Sequence, residues 1–369
     1  MSLHIAGAGW VTPLGRGVDD VWNRLSRGDE ASAQPISGEG DNTYSGFLVP
    51  TKALKDLPPH PRLRRVSAIS RFAVAAGLDA IAQAKTIAPN VDMERVALVF
   101  AASNGGVVYI KRFYHGIVAS GAQSASPLLF PETVFNAPAS HLAAILGING
   151  ASYTVVGDGA VGILAIKMAG DLLESESIDF CLVVSAEEAD WILCDAYRKW
   201  RLLKTHPPIE TFCDPPRGTI LSEGAGALLL ARDGKVKIDL IDAGGNFSRQ
   251  RNAGDIINLI LRNLRDETAC IVASANGTFV DLAERDAILR EMRRSAVYSP
   301  KPALGESVGA SAIWQVIVAA RALEEKRLPP MLHASADAGL RCGTGEIGSR
   351  AIVLSCGLNQ QAAGLRLSM

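Results

Sequence analysis

Cysteine and histidine often supply the nucleophiles, bases and metal ligands of enzymes, and this sequence has six of each. The cysteines are scattered, with no CxxC pair and no histidine at the spacing of a zinc site. They are Cys181, Cys194, Cys213, Cys270, Cys342 and Cys356. We therefore expect reduced, mostly buried thiols, and neither a metal nor a cofactor. Cys213, beside Asp214, is interpreted as structural, and His141, in an apolar helical stretch, as a core or surface residue rather than a base.

The composition excludes several classes of protein. Of 369 residues, 48% are hydrophobic and 20% charged, which is typical of a folded chain. The net charge is -1, so no positive field gathers nucleic acid. No apolar run approaches the roughly 18 residues of a membrane span, and the first residues lack the pattern of a signal peptide. We expect a cytoplasmic protein with no nucleic-acid or membrane partner.

Apolar, strand-like runs alternate with stretches of helical periodicity along the chain. We predict strands at residues 3–6, 96–101, 153–156, 180–184, 226–230, 238–241, 269–273 and 351–355, and helices at 67–84, 161–173, 281–292 and 310–325. Strands that are apolar on both faces need cover on both sides, which indicates an α/β fold. A polar break at residues 231–236 divides the chain into an N-terminal half, 1–233, and a C-terminal half, 234–369.

Four segments, in order and at suitable separations, resemble the β-ketoacyl synthase family, the condensing enzymes of fatty acid and polyketide assembly. They are residues 5–28, 126–156, 212–231 (FCDPPRGTILSEGAGALLLA) and 301–332 (KPALGESVGASAIWQVIVAARALEEKRLPPML). The resemblance spans nearly the whole chain. It implies the thiolase fold, in which two related halves form a five-layer αβαβα sandwich, and a dimer formed through a strand of the first half.

The family's nucleophile is a cysteine on a sharp turn at a helix N-terminus, where the helix dipole lowers the thiol pKa. Aligning the helix that follows this turn places Gly159 at the cysteine position, with Asp158 just before it. No thiol is available there. Asp158 is interpreted as the N-cap of that helix, with contact to a ligand as the alternative. Chain-length factors usually carry glutamine at this position. Because glycine has no side chain, we expect more open space at this turn than a glutamine would leave.

Two family histidines donate hydrogen bonds to the malonyl thioester oxygen and stabilise the enolate that forms. The motif of the first reads ANGT here, with Asn276 in place of histidine, and the motif of the second reads GESVGA, with Glu306 in its place. An ionised glutamate would repel both the malonyl carboxylate and the enolate. The family's lysine is retained as Lys301. A structural interpretation is that Asn276 and Glu306 hydrogen-bond to each other or to Lys301 as a satisfied buried cluster.

The family's closing Gly-Phe-Gly-Gly loop supplies an N–H to the oxyanion and a gating phenylalanine. Here residues 357–360 read Gly-Leu-Asn-Gln. Leu358 and Asn359, together with Asp158, are therefore the candidates for contact with a substrate.

Three functions are compatible with these substitutions. The first is a non-catalytic subunit resembling the chain-length factors of type II polyketide and aryl polyene systems, paired with an intact ketosynthase. The second is an acyl-thioester enzyme of another class, with Glu306 as general base and Asn276 as oxyanion donor. The third is a homodimeric module that binds an acyl chain or an acyl carrier protein, with Lys199, Arg201 and Lys204 as a candidate basic patch.

Overall fold

The predicted alternation of strands and helices is present in the computed structural model, which describes residues 2–86, 91–343 and 345–369. The strands are β1 Leu3–Thr12, β2 Gly15–Arg16, β3 Gln34–Ser37, β4 Thr43–Phe47, β5 Val96–Ala102, β6 Ser152–Val156, β7 Phe180–Glu187, β8 Leu221–Ser222, β9 Gly224–Ala231, β10 Val236–Asn246, β11 Cys270–Val272, β12 Ala296–Tyr298, β13 Arg341–Cys342, β14 Arg350–Cys356 and β15 Gln361–Ser368. The helices are α1 Val18–Ser26, α2 Ala68–Lys85, α3 Val107–Ser120, α4 Ala137–Leu146, α5 Val161–Leu172, α6 Trp191–Lys199, α7 Ala253–Leu264, α8 Phe279–Glu291, α9 Lys301–Leu304 and α10 Ser311–Glu325.

The two halves repeat one strand order. In the N-terminal half the strands lie in the order β6-β5-β7-β9-β1, and in the C-terminal half in the order β12-β11-β14-β15-β10. In each half the first three strands of that order are parallel and the remaining pairings are antiparallel. Strands β1 and β10 pair with each other and join the halves. As a boundary between domains, residue 233 stays a prediction.

Helices cover both faces of each half. Helices α5 and α10 contact each other and strands of both halves, so they form the central layer. Helix α2 covers the outer face of the N-terminal half, whereas α7 packs on the outer face of the C-terminal half beside α8. The five-layer αβαβα arrangement is thereby confirmed.

Strand β5 shows why the strands are apolar on both faces. Leu98 and Phe100 point into the core around α2, whereas Val99 and Ala101 point into the core around α5 and α10, and all four are fully buried. Successive side chains of a strand face opposite sides, so a strand between two helical layers needs apolar residues at every position.

Candidate functional site

Asn276 lies in the buried turn between β11 and α8, and two carboxylates of α8 hold this turn in place. The backbone N–H groups of Asn276 and Gly277 donate to Asp281 at 2.7 and 3.0 Å, and the N–H of Ser274 donates to Glu284 at 2.8 Å. Burial raises the pKa of Asp281 to about 6 and that of Glu284 to about 8. Residues three apart share one helix face, so both carboxylates reach the same turn.

Asn276, Lys301 and Glu306 form one buried cluster, with exposed fractions of 0%, 2% and 2%. The Asn276 side-chain amide donates from Nδ2 to Glu306 Oε2 at 2.6 Å. Lys301 Nζ lies 2.7 Å from the same oxygen and 3.0 Å from the hydroxyl of Ser274. The hydrogen-bonded cluster expected from the sequence is therefore confirmed.

The remaining acceptors of this cluster are also engaged. Glu306 Oε1 accepts from the N–H of Val308 at 2.9 Å and from the hydroxyl of Ser311 at 2.7 Å. Asn276 Oδ1 accepts from the hydroxyl of Thr278 at 2.7 Å. Glu306 thus accepts four hydrogen bonds, which stabilise its buried charge. A proton taken up by Glu306 would displace one of these donors, so the geometry does not favour its use as a general base.

Asp158 holds the loop that follows β14. Its Oδ2 accepts from the N–H groups of Asn359 and Gln360 at 2.9 and 2.8 Å, and the residue is 8% exposed. The prediction of an N-cap role is wrong, because α5 begins only at Val161 and its N-cap residue, Ala160, makes no side-chain capping bond. Two residues separate Asp158 from the helix, and its carboxylate turns to a segment of the other half.

Gly159 packs directly against Gly357 of the same loop. A Cβ atom built on Gly159 would lie 2.9 Å from the Gly357 Cα, and one built on Gly357 would lie 1.9 Å from Asp158 Oδ2. Ser355 donates its hydroxyl to the carbonyl of Gly159 at 2.9 Å. We expected glycine to leave extra room at the nucleophile position. This expectation is wrong, because the backbone of Gly357 occupies the space next to where the Cβ atom of residue 159 would lie.

Ser274 joins the buried cluster to this loop. Besides accepting from Lys301, its hydroxyl donates to the carbonyl of Cys356 and accepts from the N–H of Cys356, both at 3.1 Å. The structure thereby brings Asp158, Gly159 and the cluster together. Sequence reasoning missed Ser274, and the available signal was one hydroxyl in the otherwise apolar run ACIVAS.

Cys356 is the cysteine nearest to these residues, and its environment suppresses its reactivity. It is 2% exposed, and burial, aided by the negative charges of Glu284 and Asp158, raises the pKa of its thiol well above the usual range. A protonated thiol is a poor nucleophile. All six cysteines are free; Cys213 and Cys342 are partly exposed, and the others are buried, as expected.

Leu358 and Asn359 differ in their surroundings. Leu358 is 5% exposed and belongs to the apolar core of the C-terminal half, whereas Asn359 is exposed and its N–H is held by Asp158. Contact of these three residues with a substrate stays a prediction.

Three of the peripheral candidates, His141, Lys199 and Lys204, lie beside acidic side chains. His141 Nε2 lies 2.6 Å from Glu132, which fits a structural role. Lys199 pairs with Asp195 at 2.8 Å, and Lys204 pairs with Glu210 at 2.5 Å. Two of the three charges of the candidate basic patch, those of Lys199 and Lys204, are thus compensated within the chain.

Large apolar residues are exposed mainly between residues 114 and 156. They are Tyr114, Val118, Leu128, Phe130, Val134, Phe135, Tyr153 and Val156, with exposed fractions of 39% to 85%. We call this set the apolar surface. Its last two members lie on β6, which is the terminal strand of the sheet. An edge strand with apolar side chains favours pairing with another chain.

The family is shown by comparison with known proteins. The β-ketoacyl synthase N-terminal domain matches residues 2–235, and the β-ketoacyl synthase C-terminal domain matches residues 251–335. The chain belongs to the β-ketoacyl synthase family. It is 21% identical over 362 residues to the 3-oxoacyl-[acyl-carrier-protein] synthase 2 of Vibrio harveyi, covering 89% of this chain and 87% of that protein.

Solved structures share the whole fold. The ishigamide ketosynthase/chain length factor superposes with a TM-score of 0.85 at 21% identity, covering 100% of this chain and 99% of that one. The ketosynthase ApeO in complex with its chain length factor ApeC, from Xenorhabdus doucetiae, gives a TM-score of 0.82 at 19% identity, covering 100% and 98%.

Among the residues that the structure describes, no helix combines the length and the apolar character needed to cross a lipid bilayer.

Proposed function

We propose that this chain is a non-catalytic, chain-length-factor-like subunit that pairs with an intact ketosynthase in fatty acid, polyketide or aryl polyene synthesis. The observation that carries the proposal is that the chain's own side chains and backbone occupy the positions where the family's reacting groups would lie. The family's three reacting positions hold Gly159, Asn276 and Glu306, and Glu306 accepts hydrogen bonds from both Asn276 and Lys301.

The first argument is the missing acyl acceptor. Condensation needs a nucleophile that holds the growing chain as a thioester. Gly159 has no side chain, and Gly357 lies where the first atom of one would be. Cys356 is a buried thiol with a raised pKa, so it does not replace the family's thiolate.

The second argument is the loss of enolate stabilisation. The family's two histidines point donors at the thioester oxygen, where negative charge develops. The Asn276 amide instead donates to Glu306, and Lys301 pairs with the same carboxylate. A malonyl group entering here would meet a negative charge and no free donor from Asn276.

The third argument concerns the partner. In the described part of the chain, β6 pairs on one side with β5, and its other edge is open. The apolar surface adds Tyr114 and Val118, which are 60% and 85% exposed. An intact ketosynthase is the partner that we infer, since the thiolase-fold resemblance implies a dimer through a strand of the first half.

Carrier-protein docking is the second interaction that we propose. A groove of about 360 Å³ lies beside α2, lined by apolar Leu54, Leu57 and Leu63 together with Arg64 and Arg71. Its arginines suit an acidic carrier protein better than the compensated patch at Lys199 and Lys204. This function would place the protein in the cytoplasm, where acyl carrier proteins deliver their chains.

Co-expression with the intact ketosynthase of the same organism tests the pairing. Native mass spectrometry should show a one-to-one heterodimer, and malonyl condensation or product length should depend on this subunit. Val156→Lys, on the open edge of β6, should abolish the complex. Leu259→Lys, at a comparably exposed site on α7, should leave it intact. A stable homodimer indifferent to the ketosynthase would refute the proposal and favour a homodimeric binding module.

A separate experiment tests the alternative function, that of an acyl-thioester enzyme with Glu306 as its base. Glu306→Gln should abolish any thioester turnover that depends on this residue as a base. Turnover that survives the change would exclude the base assignment.

A further inference from the structure

Helix α3 carries part of the apolar surface and yet has no buried residue of its own. Tyr114 and Val118 lie on its outer side, and its N-cap residue, Gly106, provides no side-chain capping bond. Packing therefore does little to fix this helix, and its position must depend on other contacts. Some of these contacts come from residues 122–132, and others come from the segment at the end of β7.

Glu188 bridges the first turns of two helices. Its Oε1 accepts from the N–H of Val108 in α3 at 2.8 Å, and its Oε2 accepts from the N–H of Ile69 in α2 at 3.4 Å. Glu188 is 2% exposed. The first N–H groups of a helix have no partner within the helix, and its N-terminus attracts negative charge. One carboxylate thus ties α3 to the firmly packed α2.

Glu187 holds the segment that leads into α3. It accepts from the backbone N–H groups of Ser103 and Asn104, the second at 3.1 Å. The oxygen that accepts these bonds, Oε1, also faces Gly309, since a Cβ built there would lie 2.4 Å from it. Gly309 follows Glu306 by three residues, so this carboxylate lies between α3 and the loop of the buried cluster.

A third contact from the same segment reaches the second turn of α3. Lys111 forms an ion pair with Asp190, and its ammonium lies 5.3 Å from the centre of the Trp191 ring. Two successive turns of α3 are therefore held by side chains of residues 188–191.

We propose that Glu187 and Glu188 are positioning residues that fix the orientation of α3, and with it the part of the apolar surface that meets the partner. The link to partner binding rests on the proposed function; the hold on α3 does not. Because Glu187 also touches the loop of Glu306, these two residues connect the degenerate site to the subunit interface.

Hydrogen exchange followed by mass spectrometry tests the hold on α3 directly. Glu187→Ala and Glu188→Ala should each speed amide exchange across residues 111–120 at least tenfold and weaken binding of the intact ketosynthase at least tenfold. Glu291→Ala is the control. Glu291 is also a largely buried glutamate, 8% exposed, but it accepts from Arg262 of α7 in the C-terminal half rather than from α3.

Glu188→Gln keeps the test open if Glu188→Ala does not fold, because glutamine has the same shape but only one acceptor oxygen for the N–H groups of Val108 and Ile69. It should speed exchange in the same helix about threefold with little change in the melting temperature. Unchanged exchange of α3 in Glu188→Ala and in Glu188→Gln, or equal acceleration in Glu291→Ala, would overturn the inference for Glu188. Unchanged exchange in Glu187→Ala would overturn it for Glu187. If no ketosynthase binds the wild-type chain, the proposed function fails, and the exchange result alone decides the role of Glu187 and Glu188.

Discussion

Replacing Lys301 by methionine should destabilise the protein by about 3–5 kcal/mol, because it leaves the Glu306 carboxylate buried without its counter-charge. Glu306 is 2% exposed and Lys301 Nζ lies 2.7 Å from its Oε2. Three neutral donors would remain on the carboxylate, from Asn276, Val308 and Ser311. Methionine has a similar length, so the loss is mainly one of charge and hydrogen bonding.

The double variant Lys301→Met/Glu306→Gln separates the ion pair from its packing. Removing both charges should still lower the free energy of unfolding by about 1–3 kcal/mol. The NH2 group of the glutamine introduced in place of Glu306 would face the NH2 group of Asn276, and two donors cannot bond to each other. The double variant should therefore be more stable than Lys301→Met alone. Urea unfolding followed by tryptophan fluorescence would report this, since Trp314, 1% exposed, lies in the core on α10. Additive single-variant costs, or a loss below about 1 kcal/mol for Lys301→Met, would refute a tightly paired buried cluster.

Gly159→Cys should not restore condensation and should lower the melting temperature, because the new Cβ would lie 2.9 Å from the Gly357 Cα; condensation by the purified variant would contradict this. Stability should fall as pH rises from 6 to 9, since burial raises the pKa of Glu187 and of Glu284 to about 8. Below that pH these groups bind protons more readily when folded than when unfolded, and this stabilisation is lost above it; a melting temperature that rises over this range would show the reverse sign. Asp158→Asn should speed hydrogen exchange in residues 357–360, because the carboxylate accepts two of their N–H groups; unchanged exchange would show that the loop is held by other contacts.

Much of the fold could be predicted because its strands are covered on both faces. Continuous apolar runs predicted strands β5, β7, β9 and β14. Helical periodicity predicted helices α2 and α10 to within one residue at each end. Strand β1 is longer than predicted and continues to Thr12, because the small residues Gly7, Ala8 and Gly9 that follow the predicted end carry little strand signal. Local sequence patterns indicate which residues are buried. In this fold the buried residues are those that face a neighbouring layer, so the patterns also indicate the layers.

The site was harder to predict, because its contacts join distant parts of the chain. The donors to Glu306 include Asn276, 30 residues earlier, and Ser311, five residues later. Gly159 meets Gly357 across the boundary between the halves, which no local pattern reports. The wrong N-cap assignment of Asp158 has the same cause, since the competing loop lies some 200 residues away in sequence.

The measurement that tests the central claim most directly is intact-protein mass spectrometry of the purified heterodimer after incubation with an acyl thioester. The account predicts a covalent acyl adduct on the ketosynthase and none on this chain, since Gly159 offers no nucleophile and Cys356 is a buried, protonated thiol. An acyl adduct on this chain, formed at a rate comparable to that of its partner, would contradict it.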